Sequence, residues 1–150
     1  MRKIILTAGA GLLAMLAAGV SAQSASSATG RWKTIDDETG KVKSIVEITQ
    51  TASGELQGKV VDILHSDKGP NPVCDKCSGA NKNKPVKGMT ILWGLKPDGA
   101  GKWAGGQILD PAKGKTYKSK LTLTDGGNKL QMRGFMGIEA LGRTQVWVRE

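Results

Sequence analysis

Two cysteines three positions apart, in Cys74-Asp75-Lys76-Cys77, are the most chemically capable residues of this 150-residue chain. A pair at this spacing has three uses. It can close into a structural disulfide that clips its own segment, with a small local entropic gain because the ring is short. It can cycle as a redox pair, which wants the first thiol at a helix N-terminus where the thiolate is stabilised. Here Pro72 precedes the pair, Gly79 follows it, and no amphipathic helix begins. It can also supply half of a closed zinc site, which needs four ligands. His65 is the single histidine, Asp67 or Asp75 would have to complete the set, and there is no second Cys-x-x-Cys. The expectation is a Cys74–Cys77 disulfide, with no metal and no cofactor.

His65 is the one conventional imidazole base, and no nucleophile-elbow pattern accompanies it. No catalytic residue is assigned. Asp36, Asp37 and Glu38 precede Thr39-Gly40 and read as turn residues, without a calcium-loop pattern. Asp62 shares the parity of Val60 and Leu64, so it is expected to point inward. There it would need an Arg or Tyr117 as partner, or serve as a ligand anchor. Trp32, Trp93, Trp103 and Trp147 outnumber the single Phe and single Tyr. They can pack a core or line an aromatic pocket.

The elements that must position these residues are strands. Trp32–Ile35, Val42–Thr49 and Leu56–His65 are rich in β-branched or alternating residues, as are Met89–Leu95 and Trp103–Leu109. Lys115–Thr124, Lys129–Phe135 and Arg143–Arg149 complete a set of about eight. Asp36–Gly40, Ser53-Gly54, Pro97–Gly99, Asp110–Gly114 and Asp125–Asn128 are the turns. Residues 66–88, with three prolines and both cysteines, form a long loop that is either functional or stapled. Residues 136–142 are a helical turn or a bent strand. A run of hairpins with one half-apolar face closes most cheaply as a small antiparallel up-and-down β-barrel. A two-sheet sandwich is the competing all-β fold. Glycines within the strands permit the bulges a small barrel needs. In a closed barrel the first and last strands are neighbours, so Arg143 or Arg149 is expected to stack on Trp32.

The ends set the address. A basic Met1-Arg2-Lys3 and an apolar run to Val20 read as a cleavable signal peptide, residues 1–22, with no transmembrane anchor. Residues 23–29 read as a flexible lead-in and 30–150 as one domain. The formal charge of +9 falls by Arg2 and Lys3 on cleavage. Lysines spread over turns and edges keep a β-protein soluble, and outside the cytoplasm they meet anionic envelope surfaces rather than nucleic acid.

Several separated blocks carry a family resemblance: Gly101 to Pro111 (GKWAGGQILDP), Gly114 to Lys120 (GKTYKSK), Gly134-Phe135 and Leu141 to Trp147 (LGRTQVW). With the opening Gly30 to Thr34 (GRWKT) and the cysteine loop, they resemble the secreted bacterial family called domain of unknown function 2147, over residues 30–149. The resemblance implies a periplasmic address and carries no established activity. Gly30-Arg31-Trp32 is also similar to the Gly-x-Trp opening of lipocalins, whose late arginine packs on that tryptophan; this implies a lipocalin-like barrel.

The functional expectation is therefore a periplasmic, non-enzymatic binding protein for a small apolar or amphipathic ligand. Trp32, Asp62, Trp93, Trp103, Tyr117, Arg143, Trp147 and Arg149 are the candidate pocket or barrel-closing residues. One alternative is an envelope-associated protein that contacts anionic polymer or lipid headgroups through its basic surface. The other is a redox protein working through Cys74 and Cys77.

Overall fold

The structure, a computed structural model, describes residues 27–150; the expected signal peptide and residues 23–26 lie outside the described residues. Eight strands follow one another: β1 (Gly30–Ile35), β2 (Val42–Gln50), β3 (Leu56–Ile63), β4 (Thr90–Pro97), β5 (Lys102–Asp110), β6 (Lys115–Thr124), β7 (Lys129–Phe135) and β8 (Arg143–Arg149). Each pairs antiparallel with the next. β1 also pairs with β8, through Trp32 opposite Arg149 and Lys33 opposite Val148, so the sheet closes. The fold is an up-and-down barrel and not a sandwich, and closure leaves no strand edge to template aggregation.

Local chemistry explains the turns and bends. Asp125, Gly126 and Gly127 take positive φ values of 53, 62 and 94°, which lets the chain reverse tightly between β6 and β7. Gly94 and Gly105 take φ of 73 and 74° inside β4 and β5. Between the pairs Trp103–Leu121 and Gly106–Ser119, β5 spends one residue more than β6. That bulge leaves Trp103 and Gly106 both buried. Gly106 has no room for a side chain, since a Cβ there would lie 2.5 Å from Leu95 Cγ.

The interior is filled. Trp32, Trp147, Ile48, Leu92, Leu121 and Leu130 are among its fully buried side chains, and each contributes about 1.5–3 kcal/mol by leaving water. Two polar groups share that interior. Thr34 pairs hydroxyl to hydroxyl with Ser44 at 2.7 Å, while Ser119 Oγ is buried without a partner among the described residues.

Connections alternate between the two ends of the barrel. Loops 36–41, 64–89, 111–114 and 136–142 lie at one, the long-loop end. Loops 51–55, 98–101 and 125–128 lie at the other, the short-turn end.

Residues 27–29 correct the expected lead-in. Ala28 is fully buried, and its carbonyl accepts the Trp32 indole N–H at 2.8 Å. The segment therefore packs on the short-turn end of the barrel.

Candidate functional site

At the short-turn end Arg149 lies over Trp32, with its guanidinium carbon 4.2 Å from the ring centroid. Its three nitrogens donate to the carbonyls of Gly127, Thr29 and Ser27 at 2.8, 2.9 and 2.9 Å. One side chain thus ties the β6–β7 turn to the lead-in. Gly30 makes room for it: its φ is 127°, and a Cβ there would come within 2.7 Å of Arg149 Nη1. This constellation is occupied by the protein's own groups and closes the barrel.

The long loop at the other end is built rather than slack. Cys74 and Cys77 are joined by a disulfide, and both residues are buried. Val73 and Pro85 form an antiparallel bridge, and the N–H of Asn83 donates to the Cys74 carbonyl at 2.8 Å. Lys68 and Lys82 reach back to the Asp75 carboxylate and carbonyl. The Lys68 hydrogen bond holds the Asp75 carboxyl below its ordinary value. Cys74 Sγ sits 3.3 Å from the Pro111 carbonyl oxygen. This is a packing contact, because a disulfide sulfur has no proton to donate. Gly114, at φ 65°, leaves the space that the Lys76 carbonyl occupies. The disulfide therefore docks its loop on the β5–β6 turn.

That loop covers apolar wall. Leu92 pairs with Ile108, and their neighbours Ile91 and Leu109 point to the opposite, outer face. Both are nevertheless buried, in one cluster with Cys74, Cys77 and Met89, with Val86 packed against it. Where the cover ends, an open groove of about 640 Å³ remains between the loop and β4. Met89 and Trp93 line its wall side, and Asn81, Lys84, Pro85 and Lys87 line its loop side. Trp93 is half-buried, and its indole N–H donates to Gln107 Oε1 at 3.1 Å, which fixes the ring. Lys87 Nζ is 3.8 Å from Asp62, and both side chains are largely open to solvent. Lys84 has no carboxylate within ion-pair reach among the described residues. An aromatic face beside two ammonium groups can hold a molecule with an apolar body and an anionic end.

The expected site residues do not converge on one pocket. Trp32 and Trp147 are core, and Trp103 is buried opposite Leu121. Tyr117 is partly buried against the same core. Trp93 alone of the four tryptophans lines the groove. One expectation is corrected. Asp62 does not point inward: β3 carries an extra residue between the pairs Ile45–Asp62 and Val46–Val60, which breaks the parity linking Asp62 to Val60. Of the two arginines expected to stack on Trp32, it is Arg149 that does so, and Arg143 has another role. It donates to Asp37 at 2.7 Å and Glu38 at 2.9 Å, and these hydrogen bonds, Asp37 first, raise its pKa. His65 Nε2 faces Asp67 at 3.5 Å on the surface. Among the described residues no cluster of three His, Cys, Asp or Glu side chains is arranged to hold a metal ion. Met89, Lys84 and Lys87 were missed. Two lysines flanking Pro85, just before the Trp93 strand, were the available signal.

Comparisons place these features. No curated protein matches the chain. A solved Helicobacter pylori structure, described as protein HP1028 belonging to the lipocalin family, is similar in fold. The TM-score is 0.71 and the identity 21%, over 83% of each chain. The closed eight-stranded barrel is thus lipocalin-like in architecture. Residues 30–149 match DUF2147, described as uncharacterized protein conserved in bacteria, and the chain belongs to that family.

Proposed function

We propose that this member of the DUF2147 family is a periplasmic, non-enzymatic binding protein for a small amphipathic molecule, and that the groove beside Trp93 is where it binds. The observation that carries the proposal is the joining, in one open site, of a fixed indole with Lys84 and Lys87. The floor belongs to a rigid strand and the rim to a loop held by a disulfide, so little ordering is left to the moment of binding. The filled interior points the same way. The fully buried Trp32, Trp147 and Leu121 occupy the space that a ligand inside the barrel would need.

The extracytoplasmic address rests on the signal-peptide reading and on the disulfide, which persists in oxidising compartments. A redox role for Cys74 and Cys77 has less support. Both residues are buried, and the next helical segment is the three-residue turn Gly79–Asn81.

The test is native mass spectrometry on protein purified gently from a bacterial periplasm, then denatured. The proposal predicts an extra mass that disappears on denaturation and falls in the Trp93→Ala variant. A bound mass retained in full by Trp93→Ala would contradict the groove and place the ligand elsewhere on the barrel.

A further inference from the structure

The exposed apolar residues of this barrel gather at one end. Of the six large apolar side chains that stand well exposed among the described residues, five lie in loops of the long-loop end: Leu64, Val73, Met136, Ile138 and Leu141. Three of these crowd the short β7–β8 connection, where Ile138 is 63% and Leu141 76% exposed.

That connection is held in shape. Arg133 donates from Nε and Nη2 to the Glu139 carbonyl at 3.1 and 2.8 Å. Lys120 pairs with the Glu139 carboxylate at 2.7 Å. Residues Glu139–Leu141 form a 3-10 turn, and Gly142 leaves no room for a Cβ beneath the Gly134 carbonyl. Three large apolar side chains on a fixed tip cost hydration free energy unless something covers them.

The connecting loops at that end are also rich in lysine, while at the other end Lys102 and Lys129 stand at the starts of β5 and β7. All the lysines in the barrel's connecting loops lie at the long-loop end. Loops 51–55, 98–101 and 125–128 contain none, and carry Glu55, Asp98 and Asp125 instead. Most carboxylates at the long-loop end are matched: Asp36 by Lys43, Asp37 and Glu38 by Arg143, Asp75 by Lys68, Glu139 by Lys120. Lys41, Lys76, Lys84 and Lys113 have no such partner among the described residues.

We propose that the long-loop end docks on an anionic lipid bilayer. Met136, Ile138 and Leu141 enter the boundary between headgroups and acyl chains, while the unmatched lysines meet headgroup phosphates. Apolar insertion and electrostatic attraction are the two signals that together hold a peripheral protein on such a surface. An anionic polymer would satisfy the lysines but leave the apolar tip in water. A second copy of the chain, docked end to end, would bring like-charged lysines together. The inference rests on the tip and on the unmatched lysines, and shares only Lys84 with the Trp93 groove.

The test is co-sedimentation of the mature chain with two vesicle populations, phosphatidylcholine alone and phosphatidylcholine mixed with phosphatidylglycerol. Binding is expected only to the mixed vesicles and should weaken as salt rises. The Ile138→Ser/Leu141→Ser variant should lose at least about tenfold in partitioning, because two large side chains no longer leave water. Its melting temperature should stay at the wild-type value, since both positions are exposed. Three results would overturn the proposal. One is wild-type protein that ignores the mixed vesicles. Another is a tip variant that binds them as well as wild type. The third is a wild-type dimer that the tip substitutions convert to monomer, which would make a second copy the occupant.

Discussion

The Arg149 guanidinium lies over the Trp32 ring, 4.2 Å from its centroid, and joins the last strand of the barrel to the first. The contact combines a cation–π attraction of about 0.5–2 kcal/mol with three hydrogen bonds to carbonyls from two separate segments. Arg149→Ala should therefore destabilise the fold by about 3 kcal/mol in urea unfolding and shift tryptophan emission. Arg143→Ala, which removes only exposed ion pairs to Asp37 and Glu38, should cost far less and leave emission unchanged. Equal losses from the two would remove the special role given to Arg149.

The disulfide is local in effect. Its ring spans four residues, so its entropic contribution is about 2 kcal/mol. The Cys74→Ser/Cys77→Ser variant should keep its far-ultraviolet spectrum and lose stability by that order. Its loop should become the preferred site of proteolysis, because Ile91 and Leu109 are covered only while the loop is docked. A globally unfolded variant would show that the clip supports the barrel and not merely the loop.

Ser119 presents the opposite case. Its hydroxyl is buried between Gly106 and Gly134 with no partner among the described residues. An unpaired buried hydroxyl costs about 1–3 kcal/mol. Ser119→Ala should thus raise stability by about 1 kcal/mol, read as a higher denaturation midpoint at unchanged slope. A loss of stability would mean that the hydroxyl has a partner, such as a buried water.

Acid should weaken the β1–β2 turn. The N–H of Thr39 donates to Asp36 Oδ1 at 2.8 Å and is the largest cause of that carboxyl's lowered pKa, with the N–H of Glu38 assisting. A folded-state pKa below the unfolded one adds stability that is complete above about pH 3.9 and is lost as pH falls through the folded value. Asp36→Asn, which keeps an acceptor oxygen without the charge, should show a shallower loss of melting temperature below about pH 4 than wild type. Parallel acid limbs would remove Asp36 from the account.

Much of the barrel was legible before any coordinates. Lys115–Thr124, Lys129–Phe135 and Arg143–Arg149 emerge with the boundaries their alternation predicts, because each strand is bounded by a turn of Gly, Asp or Asn. The Trp32 stack was legible too, since a closed barrel must bring its last strand to its first. Asp62 was misread because one extra residue in β3 inverts the faces, and periodicity carries no mark of where a bulge falls. Ile91 and Leu109 look like ordinary outward positions; only the docked loop turns them into core. Ser27, Ala28 and Thr29 look like linker by composition, yet they matter for their backbone carbonyls, which composition cannot reveal.

The central claim is that ligand binds outside the barrel, against Trp93. Each tryptophan contributes one indole N–H resonance, so a proton–nitrogen correlation spectrum with decanoate added below its micelle concentration tests the claim most directly. The account predicts a saturable shift of the Trp93 indole and of the Lys84, Lys87 and Met89 amides, with the Trp32 and Trp147 indoles unmoved. Shifts centred on Trp32 and Trp147, with Trp93 unmoved, would contradict it and put the ligand in the interior.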